Sequence, residues 1–150
     1  MRHPLRVVVV FSLLVTAVVL AQAPAAKPPG SDDAQVVSPK DAKWVAAKAP
    51  IPAGVMVSPI AADAAPGGSM GYAKYAPGAS IPEHWHSAGE YTTVLAGNMK
   101  INLDGKTYEM GPGSYVAIPA KTKHQVTCLP GNECMVITRR SGPVDYTWVK

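Results

Sequence analysis

Two histidines two residues apart, His84 and His86, precede a glutamate, Glu90, after a short Ser87-Ala88-Gly89 bend. On a β-strand, residues i and i+2 point to the same face, so both imidazoles share one side of a sheet. The bend lets Glu90 turn its carboxylate to the same place. A fourth group is expected from His124, in the stretch Ile118-Pro-Ala-Lys-Thr-Lys-His124-Gln. Three imidazoles and one carboxylate gathered inside a β-structure form a site for a divalent cation. Burying them without a shared cation would be costly. The bland alternative is a pocket that holds only water, with each histidine an ordinary core or surface residue. The shared face and the following Glu90 favour the metal.

The same residues resemble a known family. Cupins carry a first motif of glycine, five residues, His-x-His, three or four residues, Glu, six residues, Gly; here it falls on Gly78, His84, His86, Glu90 and Gly97. Their second motif is glycine, five residues, Pro-x-Gly, two residues, His, three residues, Asn. Gly113, Pro119 and His124 match it, while Lys121 stands at the glycine and Cys128 at the asparagine. The resemblance implies an all-β double-stranded β-helix, or jelly-roll barrel, as a single domain. It also implies one divalent transition metal on His84, His86, Glu90 and His124, but no particular reaction. Imidazole suits zinc, iron, nickel and copper, and the carboxylate extends the range to manganese. Four protein ligands nearly saturate tetrahedral zinc but leave two positions open on octahedral iron or manganese.

The elements that must position these residues read as short strands between turn signals. Strands are expected at 42–47, 55–61, 70–76, 90–96, 99–103, 106–110, 114–118, 125–128 and 134–139, with the His84/His86 stretch forming another. Asp104-Gly105 is the strongest hairpin signal. No long stretch carries the 3.6-residue period of an amphipathic helix. Many short strands with Gly/Pro turns mean a sandwich or barrel, and cupins are counted among the jelly rolls. Every proline is expected between strands, where no ladder donor is lost. Thr92 and Val94 share the phase of Glu90 and should point inward. Met99, Ile101 and Leu103 are expected on one pocket-lining face, and Tyr115 and Ala117 on another.

Three regions are expected along the chain. Arg2 and Arg6 precede an apolar run to Ala21, shorter than the roughly 20 residues a membrane-spanning helix needs. A basic start, an apolar stretch and small residues mark residues 1–21 as a secretory signal peptide cleaved after Ala21, with an uncleaved membrane anchor as the alternative. Residues 22–40 are rich in Ala, Pro, Gly, Ser and Asp and read as a flexible leader. Residues 41–150 are the barrel domain. The protein is expected to be secreted or periplasmic, meeting the membrane only through its signal. Loss of Arg2 and Arg6 reduces the formal charge from +4 to +2, which gives no support to nucleic-acid binding.

Cys128 and Cys134 flank the five-residue stretch Leu129–Glu133. A disulfide is expected, since cross-strand hairpin positions fall within reach and an oxidising compartment favours closure. Its loop is short, so the entropic gain is small. Two free structural thiols, or a Cys128 sulfur facing the metal, are the alternatives.

Two functions from different classes follow. One is a binding module, an exported metal-binding protein that takes a small molecule or the metal itself in its barrel. The other is an enzyme, a metal-dependent oxygenase or isomerase acting on a small organic substrate, with Glu90 the candidate general base. Homodimers through the sheets are compatible with either. Storage, a third reading, is opposed by the chain's small size.

Overall fold

A computed structural model describes residues 36–62 and 66–150. The expected signal peptide, most of the leader and residues 63–65 lie outside the described residues. Eleven strands follow in order: β1 (Val45–Ala46), β2 (Val55–Ala62), β3 (Ser69–Tyr75), β4 (Ser80–Trp85), β5 (Glu90–Ala96), β6 (Met99–Leu103), β7 (Lys106–Met110), β8 (Tyr115–Ile118), β9 (His124–Cys128), β10 (Cys134–Arg140) and β11 (Thr147–Trp148). There is no helix among the described residues.

The strands form two antiparallel sheets, one ordered β1-β2-β3-β10-β5-β8 and the other β11-β4-β9-β6-β7. This is the expected all-β jelly-roll architecture. Their facing side chains make one core, in which Ile81, Val94, Met99, Ile101, Ile118 and Val136 are buried together. Period-two alternation explains the layering: in β5 the buried residues are Glu90, Thr92 and Val94, every second position. The β6–β7 hairpin closes at Asp104 (φ 45°) and Gly105 (φ 82°), both with the positive φ that a two-residue primed turn requires.

Two expectations are corrected. Pro59, which the expected strand 55–61 already spans, and Pro82 lie inside β2 and β4, not between strands. Both sit where the register slips, between Pro59 and Ala61 and between Ile81 and His84. A bulge already breaks the ladder, so the missing N–H costs no paired bond there. On β8, Tyr115 is 62% exposed and Ile118 is buried. The register explains the reversal, because Val116 lies opposite Thr92 and Ile118 opposite Glu90, and directly opposed residues share a face.

The described end of the leader touches the barrel: the buried Tyr72 hydroxyl donates to the Val37 carbonyl at 2.8 Å. Trp44 packs beside Tyr72, ring centroids 6.3 Å apart, so the segment around β1 covers the face of β3.

Candidate metal centre

The three histidines arrive from neighbouring segments of one sheet. His84 lies in β4 and His124 opens β9, paired directly across the ladder. His86 follows the end of β4, and all three are 1–2% exposed. Their ring centroids lie 4.2 Å (His84–His124), 4.8 Å (His84–His86) and 5.1 Å (His86–His124) apart. One nitrogen from each lies within 4.8 Å of the others, so the triad could hold a metal ion.

The backbone fixes which nitrogen. The Nδ1 of His84 donates to the Pro82 carbonyl at 2.7 Å, and that of His124 to the Thr122 carbonyl at 2.9 Å. His86 Nδ1 donates to the carbonyl of Asp145. A carbonyl only accepts, so each Nδ1 carries the proton and each neutral ring keeps its lone pair on Nε2. This is the outer support that metal-bound histidines use. Burial holds His84 down to about 4, against the pull of the Pro82 carbonyl, and burial lowers His124 as well. Both are therefore neutral near pH 7, in the state a metal requires.

Glu90, the first residue of β5, comes from the opposite sheet. Its Oε1 accepts from the Thr92 hydroxyl at 3.1 Å. Its Oε2 accepts from Arg140 Nη2 at 2.6 Å and Nε at 3.1 Å. The same Oε2 lies 3.0 Å from His86 Nε2. If that nitrogen holds only a lone pair, two acceptors face each other, and a cation between them resolves the contact: a proton on Nε2 or a metal ion. Burial opposes the carboxylate's charge, but the Arg140 guanidinium holds its pKa well below the usual range. The chemistry of the three imidazoles suits a divalent ion, while Glu90 stands outside that cluster, next to His86 and held by Thr92 and Arg140.

Several groups at the site lie beyond the sequence reading. Arg140 ends β10, one residue past the expected strand. The inward phase of Cys134, Val136 and Thr138, extended one step, would have reached it. Tyr146 lies 5.1 Å from His84 and 4.8 Å from His86, and Trp148 5.4 Å from His84, centroid to centroid. The Ser87 N–H donates to the Asp145 carboxylate at 3.0 Å, pinning this C-terminal segment to the histidine loop. No local pattern announces these contacts.

Cys128 and Cys134 form a disulfide with Cα atoms 5.7 Å apart, so neither sulfur serves the centre. A cavity of about 280 Å³ adjoins it, lined by apolar side chains of β2 and β3 and by Glu90, Arg140 and Tyr146.

A family described as Cupin domain matches residues 71–138. Among curated proteins, the chain is 30% identical over 71 residues to the polyketide synthase CurC of Streptomyces cyaneus, covering 47% of this chain. The chain spans 46% of that relative's length. Among solved structures, the polyketide cyclase RemF from Streptomyces resistomycificus superposes with a TM-score of 0.67 at 23% identity, over 79% of this chain and 87% of its own. KdgF from a Halomonas species gives 0.62 at 18% identity, over 75% and 98%. A cupin-2 domain from Rhodospirillum rubrum gives 0.63 at 15%, over 78% and 80%.

Proposed function

The chain belongs to the cupin superfamily, and from that premise we propose that it is an exported protein holding one divalent transition metal and taking a small organic molecule beside it. His84, His86 and His124 would hold the ion through Nε2, with Glu90 as the oxygen ligand. The observation that carries this reading is the set of three Nδ1–carbonyl bonds, made by three buried imidazoles that each offer a ligand nitrogen within 4.8 Å of the others. When bound, the ion supplies Lewis-acid polarisation of a ligand oxygen. The protein's own residues orient the imidazoles, fix the carboxylate and exclude water. Export is supported by the Cys128–Cys134 disulfide, which suits an oxidising compartment, and by the sequence of residues 1–21.

The experiment is elemental analysis of protein recovered from its own compartment. About one equivalent of transition metal is expected, and His124→Ala should remove it while the circular dichroism of a β-protein persists. Metal content unchanged by that substitution overturns the ligand assignment.

A second reading, a metal-dependent oxygenase or isomerase, is favoured by the apolar cavity that reaches Glu90. The polyketide synthase and cyclase named above are consistent with chemistry on a small organic substrate. In this reading Glu90 exchanges a proton with the substrate as general base, and Arg140 keeps it ionised.

A further inference from the structure

The cavity of about 280 Å³ has an uneven chemistry. Ile51, Val55, Val57 and Ile81 give it an apolar wall. Its charged lining groups are Lys48, Glu90 and Arg140, two cations against one carboxylate. That carboxylate is already engaged: Arg140 Nε and Nη2 both donate to Glu90 Oε2. Arg140 Nη2 also approaches the Tyr146 hydroxyl at 3.4 Å. Arg140 Nη1 makes no hydrogen bond among the described residues, nor does the hydroxyl of Tyr75, which borders the same space. The guanidinium is thus half spent, with one amino group left at an apolar pocket. A divalent ion on the histidines adds positive charge that no second carboxylate in the lining offsets.

We propose that the cavity takes a small organic anion, a carboxylate on an apolar or aromatic body, and that Arg140 is the residue that selects it. The anion would accept from Nη1, the Tyr75 hydroxyl would supply a further donor, and the apolar wall would enclose the body. Arg140 also keeps Glu90 in place, so the same guanidinium joins the ligand's head to the metal centre. This inference rests on the small-molecule reading above and names its ligand class.

The test uses the full exported chain and two probes of one shape, benzoate and benzamide, with affinities measured calorimetrically in the presence and absence of zinc. Benzoate should bind about tenfold or more tightly than benzamide, the worth of a charge-assisted hydrogen bond. Arg140→Gln should remove that preference, and Arg140→Lys, which keeps the charge but loses the fork, should recover part of it. Arg140→Gln leaves a buried carboxylate without its partner and could fail to fold. Tyr75→Phe is the second variant, expected to weaken benzoate several-fold while leaving benzamide unchanged. Equal affinity for both probes, no binding of either, or a benzoate preference that survives Arg140→Gln overturns the proposal. Zinc content is read separately on each sample: zinc retained without anion preference refutes this inference alone, and a wild-type protein that takes up no zinc refutes the metal reading. The zinc-free arm judges the anion preference in either case.

Discussion

The Lys121 N–H donates to the His86 carbonyl at 2.8 Å, from a residue whose own φ is 64°. Lys121 stands where the family's second motif places glycine, and it adopts the left-handed conformation that glycine takes at little cost. The bond ties the turn before His124 to the loop after β4, so the strain is spent on aligning two histidines.

Lys121→Gly should therefore relieve strain. Left-handed backbone costs a side-chain-bearing residue about 1–2 kcal/mol, and glycine's extra unfolded-state entropy returns about half of that. A gain of up to about 1 kcal/mol is expected in urea unfolding. A variant less stable than the parent would show that the lysine side chain contributes a contact of its own.

The two glycines of the first motif should differ. Both have positive φ, 81° at Gly78 and 74° at Gly97. A Cβ on Gly78 meets nothing within 4 Å, whereas one on Gly97 lands 2.6 Å from the Glu133 carbonyl oxygen and 2.8 Å from Cys134 Sγ. Gly78→Ala should cost about 1–2 kcal/mol. Gly97→Ala should add an overpacking cost of about 1–3 kcal/mol. Equal losses in parallel denaturant titrations would contradict the close approach.

Acid should weaken the metal-free protein before it protonates most carboxylates. His84 titrates near 6.5 when unfolded and is held by burial to about 4 in the fold. Between those values the unfolded chain takes up a proton that the folded chain refuses. Its contribution is full above about pH 6.5 and is lost as pH falls toward about 4, at most about 3 kcal/mol. His124 is shifted in the same direction. Chemical denaturation of the chelated protein across that range checks this, and a flat profile would refute it.

Metal removal should be visible as lost stability. An ion at a thousand times its dissociation constant stabilises the fold by about 4 kcal/mol. Chelation should lower the melting temperature of the wild type and leave His84→Ala unchanged. The wild type failing to respond would exclude an exchangeable ion at the triad.

How much was legible in the sequence follows from the range of each contact. His84 and His86 share a face because a single residue, Trp85, separates them, and the Asp104-Gly105 turn needs only its own φ angles. Glu90 and His124 were placed near the histidines by motif spacing; the structure joins His124 to the pair as a triad and sets Glu90 beside His86 alone. Arg140, Asp145 and Tyr146 reach the site through pairings across about 50 residues or more, which no local period encodes. Pro59 and Pro82 misled for the opposite reason. A local rule kept them out of strands, and the irregular pairing of β2 and β4 overrode it.

The imidazoles belong to the β4–β9 layer, and Glu90 and Arg140 to the β5–β10 layer. An ion gripped by all four ligands would act as a rivet through the seam of the sandwich. Filling the centre should then slow deuterium uptake at amides of both layers at once, and stripping it should let the barrel breathe from that end first.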